Sequence, residues 1–432
     1  MKNVVKTNES VIETLEGRTM MSGTALGISE VGNELRIQGA GANEHITLTE
    51  TSAGLLVGNN GWSKTVAGQF QDIKVTAGAN GTQSIVVDAS VETPCSLYGG
   101  TNAKNVLEAG SGDDILVSVN SKASTLIGGA GNDSFWTNAT VVNKLVNVTP
   151  AEVAAGNVHK VSAFYTGVTG AKTAKTVAAG KKVAAGAIEP ATTNGATYQN
   201  FSNQPLFSTA GPSENDIIQG QIGDCYFLSV LSSVAKIDPA KIQQSMLDMG
   251  DGTYLVQFTQ GTTNVFVHVD GQLPVLSNGQ LDYANFGAQQ SIWVAIMEKA
   301  YTVFRGGTNA SYATIDGGWM DESYAALGDT STSFYGGTGA ANLMSTIASA
   351  ISAGKSVTFG VIRVADGAPL IADHAYTVDS VNYDSHGNPV SLRLRNPWGV
   401  DGAGNDGNND GYVTITAQQA YDCLAGIVFA NV

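Results

Sequence analysis

The sequence has few charged residues and no long apolar runs. Both features exclude some classes of protein. Only 14% of its 432 residues are Asp, Glu, Lys or Arg, against about 25% in a typical soluble domain. Acidic residues outnumber basic ones 37 to 22, whereas a nucleic-acid binder needs Lys and Arg to neutralise phosphates. No stretch approaches the roughly 18 consecutive apolar residues of a membrane-spanning helix. We therefore expect no nucleic-acid partner and no membrane span.

Cysteine is also scarce. Cys95, Cys225 and Cys423 are too few and too far apart for a disulfide framework or for a zinc site built on cysteine. Each is expected to be a small buried hydrophobic residue unless its surroundings make it reactive.

The N-terminus lacks the apolar core of an ordinary signal peptide. Residues 13–23, ETLEGRTMMSG, nevertheless resemble a short element near the start of some bacterial surface and exported proteins. We therefore assign residues 1–30 to a targeting-like segment. The expectation is a secreted or cell-surface protein, with a possible association with the cell envelope through its N-terminal domain.

Glycine is abundant where charge is missing, with 52 residues in the chain. In residues 31–148, short apolar or alternating runs are separated by Gly and Asn, which indicates strands. Between residues 99 and 136 apolar triplets recur every nine or ten residues, and two copies carry a glycine-rich turn, AGSGDDILV and GGAGNDSFW. The repeat predicts an all-β domain of stacked turns, a β-roll or solenoid-like fold.

The two turns also present carboxylates suited to calcium. Asp114 and Asp133 lie 19 residues apart, about two repeats, so both are expected on the same side of a flattened roll. Carboxylate and turn carbonyl oxygens are ligands that Ca²⁺ accepts, and the turns resemble the Ca²⁺-binding repeats of bacterial surface and secreted proteins. A small β-solenoid that binds no metal explains the pattern equally well.

The rest of the chain divides by composition. Residues 149–200 consist largely of Ala, Gly, Thr and Lys without a sustained apolar period, and such a composition predicts a flexible linker. Residues 201–432 mix helix and strand patterns, which predicts an α+β domain with one mainly helical and one mainly antiparallel lobe. Helices are expected from Cys225 and over 291–304 and 342–354, and strands over 253–258, 265–269, 357–363, 374–381, 390–396 and 411–416.

Cys225 is the candidate nucleophile. It opens an apolar helix after the turn that contains Gly220 and Gly223. The positive end of a helix dipole favours the thiolate, which is the nucleophilic form. A buried structural cysteine is the plainer alternative.

A cysteine nucleophile needs a base within hydrogen-bond reach. Of the five histidines, His45 and His159 lie in other segments, His268 alternates within a strand as a sheet-surface residue, and His386 sits in a polar turn. His374 begins a strand after a loop, where its ring can face a cleft.

Asn396 is the candidate partner that orients this base. It follows Leu392 and Leu394 on the apolar face of a strand, and an unpaired buried amide costs about 1–3 kcal/mol. A ring N–H of His374 would satisfy it, and Trp398 could cover the pair. Gln219 could donate its amide where an oxyanion develops, although by itself it is more simply a loop residue.

Four segments in this order carry a resemblance: QGQIGDCYFLSVLSSVA, IWVAIMEKAY, DHAYTVDSV and LRNPWG. Together they resemble the protease core of the calpain family of papain-like cysteine peptidases, over about residues 204–432. The resemblance implies two papain-like lobes with a cleft between them. It implies a protein or peptide substrate, with Trp398 and Gly223 in the cleft. By the same resemblance, Cys225 is the nucleophile, His374 the base, Asn396 the orienting residue and Gln219 the oxyanion donor.

The resemblance also makes Ca²⁺ a candidate cofactor, although the chemistry itself requires none. Asp216 and Asp410 align with acidic residues of the family's calcium sites. Ser291 and Tyr412 stand where two other acids are usual, and Tyr226 replaces the usual Trp after the nucleophile. Calcium control of the core is therefore an open question.

We predict a calpain-like cysteine endopeptidase that hydrolyses peptide bonds. A catalytically inactive calpain-like surface module, acting as a Ca²⁺-dependent adhesin or scaffold, is the alternative, and the intact Cys–His–Asn set argues against it. A transglutaminase-like acyl transferase would share Cys225 and His374 but would be expected to use Asp in place of Asn396.

Overall fold

The computed structural model describes residues 24–166, 175–178, 189–337, 339–404 and 407–432. Most of the predicted targeting-like segment lies outside the described residues. Among the described residues, no helix has the length and apolar character needed to cross a bilayer.

The N-terminal part is a β-solenoid, which confirms the prediction of stacked turns. Its elements are β1 (Gly27–Val31), β2 (Glu34–Gln38), β3 (His45–Thr51), β4 (Gly54–Asn59), β5 (Trp62–Val66), β6 (Asp72–Thr76), β7 (Thr82–Val87), β8 (Cys95–Tyr98), β9 (Lys104–Glu108), β10 (Ile115–Ser118), β11 (Thr125–Ile127), β12 (Ser134–Asn138), β13 (Lys144–Val146), α1 (Pro150–Ala154) and β14 (Val158–Val161).

From β6 onwards, successive strands of the solenoid alternate between two sheets. One sheet has the order β1-β2-β6-β8-β10-β12-β14 and the other the order β13-β11-β9-β7-β3-β4-β5. In the repeat region the pairing is parallel, with Ile115 opposite Ser134 and Val106 opposite Thr125. Partners are thus 19 residues apart, which is the spacing that the sequence repeat predicts for one full turn. Leu residues at the repeated positions fill a thin core between the sheets.

A ladder of acidic side chains holds the turns on one side of the solenoid. Asp114 Oδ1 accepts from the Cys95 N–H at 2.6 Å, and Asp133 Oδ1 accepts from the Asp114 N–H at 3.0 Å. Glu152 Oε1 continues the series by accepting from the Asp133 N–H at 2.8 Å. Each acid therefore caps the backbone of the preceding turn, because an unpaired buried N–H would be costly.

The remaining elements form the C-terminal part. They are β15 (Ala163–Thr166), β16 (Lys175–Ala178), β17 (Thr197–Asn200), α2 (Cys225–Ile237), α3 (Pro239–Gln244), β18 (Met246–Asp248), β19 (Thr253–Gln260), β20 (Thr263–Asp270), β21 (Gln272–Val275), α4 (Trp293–Gly306), α5 (Met320–Ala326), β22 (Thr330–Phe334), α6 (Ala340–Ser352), β23 (Ser356–Val361), β24 (His374–Tyr383), β25 (Pro389–Arg395), β26 (Tyr412–Thr416), α7 (Ala417–Cys423) and β27 (Leu424–Asn431).

The segment 149–200, expected to be a flexible linker, differs from that expectation wherever it is described. Its first part completes the solenoid through α1 and β14, and only Ser162 separates β14 from β15. Strand β15 joins the C-terminal part, because Phe164 and Tyr165 pair in parallel with β20. Residues 167–174 and 179–188 lie outside the described residues.

The solenoid packs directly on the sheet of order β16-β15-β20-β19-β18. Tyr98, Trp136 and Phe266 belong to one buried apolar cluster that spans both parts. Lys74 Nζ forms an ion pair with Asp248 Oδ2 at 2.7 Å at its border. The two parts therefore share a hydrophobic interface in addition to their covalent connection.

Helix α2 forms the centre of the first core of the C-terminal part. Its apolar face, including Phe227, Leu231 and Val234, is fully buried against α4 and the sheet of β18–β20. Its small residues, Ser229 and Ser233, are buried as well, so α2 is covered on nearly all sides.

A second core lies between α6, α7 and a six-stranded sheet of order β22-β27-β23-β24-β25-β26. The other face of this sheet lies on α2. Thr377 Oγ1 on β24 donates to Ser229 O at 2.7 Å, and the Val357 N–H on β23 donates to Ser233 Oγ at 3.0 Å. Serine at these positions lets the strands approach the helix closely, and this brings the start of β24 near the start of α2.

His159 makes the interface between solenoid and C-terminal part sensitive to pH. Its ring stacks on Trp136 at 3.8 Å, and Nδ1 lies 2.8 Å from Gln257 Oε1. Burial lowers the pKa of His159 to about 4, so the folded protein holds the neutral ring. On acidification the unfolded chain takes up this proton first, and stability is lost as the pH falls from about 6.5 towards 4.

We therefore expect His159→Phe, which keeps an aromatic ring but cannot titrate, to lose less stability on acidification than the unchanged protein. The difference should be about 2 kcal/mol between pH 7 and pH 5, measured by chemical denaturation at both pH values. Exposed His45→Phe serves as the control. An equal loss of stability in His159→Phe and the unchanged chain would contradict the assignment.

Candidate active site

Cys225 is the first residue of α2 and is half-buried. The turn before it packs tightly on a neighbouring segment, since a Cβ on Gly220 would lie 2.2 Å from Tyr283 O. Exposed Gly223 donates its N–H to Asp316 Oδ1 at 3.1 Å. The glycines thus permit the close turn that presents the thiol at the N-terminus of the helix.

His374 and Asn396 lie within hydrogen-bond distance. His374 Nε2 is 2.9 Å from Asn396 Oδ1, and both residues are buried. The Trp398 N–H donates to the same Oδ1 at 3.0 Å, and the Asn396 amide donates to Asp401 O at 3.2 Å. These contacts fix the orientation of the Asn396 amide. Its oxygen faces His374 and can accept a hydrogen bond from the imidazole N–H.

Trp398 lies beside this pair. Its ring centroid is 4.9 Å from that of His374, and the Trp398 side chain is partly buried. An aromatic ring in this position limits the access of water to the His374–Asn396 hydrogen bond, which strengthens that bond.

The thiol and the imidazole come from different elements that meet at one point. The backbone N–H of Ala375, the residue after His374, interacts with the Cys225 thiol. Thr377, two residues further along β24, donates to Ser229 O one turn along α2. Helix α2 and strand β24 thus lie side by side and run in the same direction, and their first residues are close together.

Gln219 is buried beside the turn, but its amide is engaged. Gln219 Nε2 donates to Ile222 O at 2.7 Å, while Oε1 is buried without a donor among the described residues. Its backbone N–H donates to Pro397 O at 2.8 Å, which connects the turn to the segment after β25. One amide N–H of Gln219 is thus used within the turn that precedes Cys225.

The electrostatic surroundings of Cys225 differ from the expectation of a favoured thiolate. Burial raises the pKa of the Cys225 thiol to about 11, and the nearby carboxyl of Asp224 adds to the rise. Hydrogen bonds from the N–H groups of Ala375, Tyr226 and Cys225 itself oppose it. The helix terminus therefore acts through its N–H groups, but desolvation outweighs them.

Burial also lowers the pKa of His374, while its hydrogen bond to Asn396 opposes the change. Burial of both groups therefore favours a neutral thiol and a neutral imidazole.

The other histidines are placed outside this cluster. His268 is only 2% exposed, with its ring 4.7 Å from that of Phe164 and Nε2 2.7 Å from Thr253 Oγ1. The prediction of a sheet-surface position for His268 was wrong, because that face of the sheet packs on the solenoid: Leu255, opposite His268, and Phe266 both belong to the shared apolar cluster. His386 lies in an exposed turn.

The four acids predicted to bind metal do not converge. Asp114 and Asp133 belong to the solenoid ladder, and their second oxygens accept from the N–H groups of Gly110 and Gly129. Asp410 is exposed and accepts from the Tyr412 N–H. Within the described ranges, no group of three or more His, Cys, Asp or Glu side chains is arranged to hold a metal ion. Calcium binding by these residues stays a prediction.

The sequence analysis did not predict two buried acidic residues near Cys225. Asp224 immediately precedes Cys225, and Glu298 lies on α4; both are 0% exposed and their carboxyl groups interact. A lone Glu within the apolar run WVAIMEKAYTVF was the signal available, because an acid on a buried helix needs a partner.

Comparison with known proteins identifies the family of the C-terminal part. The sequence profile described as calpain family cysteine protease matches residues 192–410, about half of the chain. Calpain clp-4 of Caenorhabditis elegans is 29% identical over 227 residues, which cover 48% of this chain and 31% of the relative. Human calpain-8 is 30% identical over 211 residues, 45% of this chain and 29% of the relative. The chicken calpain-2 catalytic subunit is 29% identical over 213 residues, 45% and 29% respectively.

The matched region thus spans about a third or less of each of these relatives. It includes Cys225, His374 and Asn396. By its sequence profile and its fold context, the chain belongs to the calpain family of cysteine proteases.

Proposed function

We propose that the chain is a calpain-like cysteine endopeptidase whose substrates are peptide segments of proteins. Cys225 is the nucleophile, His374 the general base and acid, and Asn396 the residue that orients His374. The observation that supports this most is the 2.9 Å distance from His374 Nε2 to Asn396 Oδ1. His374 is the first residue of β24, and the next residue, Ala375, contacts the Cys225 thiol at the start of α2.

The reaction follows from these positions. The Cys225 sulfur attacks the peptide carbonyl carbon as the thiol proton passes to His374. The resulting oxyanion accepts hydrogen bonds from the Cys225 N–H and from Gln219. His374 then gives its proton to the leaving amine, which departs and leaves an acyl-enzyme. A water molecule, deprotonated by His374, hydrolyses the thioester and restores the thiol.

Two structural features fit particular steps. A neutral thiol and a neutral imidazole fit a proton transfer that accompanies attack. Gln219 Nε2 donates to Ile222 O, so its amide has to turn to serve as oxyanion donor. We propose that the cleft lies between two papain-like lobes, one built on the first core and the other on the second, with Trp398 and Gly223 at its edge.

The direct test is hydrolysis of a denatured protein by the full chain and by Cys225→Ala. We expect the substitution to lower kcat roughly 10³-fold or more, because the nucleophile is lost. Cys95→Ala, in the solenoid, is the matched control and should retain activity. Activity in Cys225→Ala equal to that of the control would refute the proposal. An absence of turnover in all three proteins would favour a non-catalytic surface module.

Calcium is not required for the chemistry, and the protease core has protein contacts where the family resemblance suggests metal ligands. Asp216 is 1% exposed, and its carboxylate already accepts from the N–H groups of Ser213 and Ala288 and from Trp293 Nε1 at 2.8–2.9 Å. Ser291 supplies no carboxylate beside it. This donor set fits a structural anchor better than a Ca²⁺ site, since oxygen ligands have to face the ion.

On the other side, Tyr412 replaces an acid and connects the two cores. Its hydroxyl lies 3.1 Å from Glu214 Oε1 and 3.0 Å from Asn215 Oδ1. The guanidinium of Arg393 lies 3.6 Å from the centre of the Tyr412 ring, a cation–π contact. Arg395, only 2% exposed, donates to Ile217 O at 2.9 Å. The contacts of Tyr412 and Arg395 with residues 214–217 join the two cores.

We therefore expect peptidase activity in excess chelator to stay within about twofold of the activity in millimolar Ca²⁺, because protein groups already occupy the places where the family resemblance suggests metal ligands. The measurement is initial rate on a denatured protein in EDTA and after Ca²⁺ is returned. Loss of activity in EDTA with recovery in Ca²⁺ would contradict this. In that case Asp133→Asn would show whether the solenoid is responsible.

The association with the cell envelope and the secreted or cell-surface location remain predictions for the N-terminal part.

A further inference from the structure

Asp224 and Glu298 form a pair of carboxyl groups buried directly behind the nucleophile. Asp224 is the residue before α2, and Glu298 lies on α4; both are 0% exposed. Neither forms an ion pair with a Lys or Arg side chain of the described residues. The neighbouring Lys299 is committed to Asp270, at 2.7 Å. The charge of this pair is therefore not balanced by a basic group.

The acceptors around the pair outnumber the donors. Both carboxyl oxygens of Asp224 and Oε1 of Gln219 are buried and accept no well-formed hydrogen bond from an N–H or O–H in the described part of the chain, although the Asp224 N–H and the Gln219 side chain lie near the Asp224 carboxyl group. Glu298 accepts from the Ala284 N–H, at 3.0 Å from Oε2 and 3.2 Å from Oε1. Two adjacent buried carboxylates cannot both stay ionised, and one proton shared between them supplies the missing donor.

The titratable groups that face the pair from other elements do not balance its negative charge. Asp282 acts on Glu298 and Asp316 acts on Asp224, both as like charges. Tyr312 lies near both acids and Tyr198 near Glu298, and Cys225 lies next to Asp224. Burial and this surplus of negative charge raise the pKa of both Asp224 and Glu298.

The pair lies where it can position the catalytic turn. Glu298 binds the Ala284 N–H, and this segment holds the turn through two backbone bonds, from the Gln221 N–H to Asp282 O at 2.8 Å and from the Asn285 N–H to Ile218 O at 2.9 Å. Asp224 lies at the other end of the same turn and interacts with Gln219. A hydrogen bond between the two acids therefore closes a loop of contacts around Gln219 and the Cys225 N–H.

We propose that Asp224 and Glu298 share one proton and act as positioning residues for the proposed peptidase reaction. Their hydrogen bond fixes the turn 219–224, and with it the Cys225 N–H and the backbone that carries Gln219. The shared proton also removes a negative charge beside Cys225, and this charge is one of the causes that raise the thiol pKa. Loss of the proton at high pH would both loosen the turn and disfavour the thiolate.

The test compares Glu298→Gln and Glu298→Ala with the unchanged chain, using kcat, KM and the rate of iodoacetamide alkylation of Cys225 from pH 5 to pH 10. Gln carries an N–H that can donate to Asp224 and cannot be lost. We expect Glu298→Gln to retain kcat within about threefold at neutral pH. On the alkaline side, the pH profile of kcat and the pH profile of the Cys225 alkylation rate should each shift by about one pH unit or more.

Glu298→Ala removes the donor, and we expect kcat to fall roughly 10- to 100-fold with little change in KM, because the oxyanion donors are misplaced. Exposed Glu50→Gln is the control for the loss of a carboxylate. If Glu298→Gln shows the pH profiles of the unchanged chain, the shared proton is refuted, even if Glu298→Ala fails to fold.

This inference rests on the proposed peptidase function, and the two can fail separately. Activity that survives Cys225→Ala removes the peptidase mechanism itself. Loss of activity in Cys225→Ala, together with unchanged pH profiles in Glu298→Gln, removes only the role of the acid pair.

Discussion

The close contact between α2 and β24 is the constraint on which the candidate active site depends. Small hydroxyl residues make it: Ser229 on α2 accepts from Thr377, and Ser233 binds the backbone of β23. At the far end of the helix, Lys236 forms an ion pair with Asp379. Because helix and strand are fixed along their length, Cys225 and His374 at their first residues are held together, although 149 residues separate them in the sequence.

Much of this arrangement could be predicted from local sequence. The apolar spacing predicted α2, α4 and α6, and the alternation that placed Asn396 on the face of Leu392 and Leu394 predicted a buried amide in need of a partner. The nine- to ten-residue repeat predicted a flattened solenoid with a 19-residue turn. In each case the signal is a period that the fold itself imposes, the alternation of a strand, the turn of a helix or the stacking of rungs.

The failures concern features that only tertiary contacts decide. Residues 149–200 lack a sustained apolar period, yet the part up to residue 166 completes the solenoid and adds β15 to the sheet of the C-terminal part, where the Phe164 ring packs edge-on against His268. The helix dipole predicted a low pKa for Cys225, but burial and Asp224 raise that pKa. The repeat likewise does not predict that Asp133 accepts from backbone N–H groups, and calcium binding there stays a prediction. Burial and partners of a polar group are not local properties, so the sequence alone leaves them open.

The proposed reaction requires His374 to activate Cys225. The most direct measurement is the rate of alkylation of each cysteine at neutral pH, followed by peptide mass spectrometry in the unchanged chain and in His374→Ala. We expect labelling of Cys225 well ahead of the buried Cys95 and Cys423, slowed roughly tenfold or more in His374→Ala because the proton acceptor is gone. Equal labelling of Cys225 in both proteins would contradict the central claim.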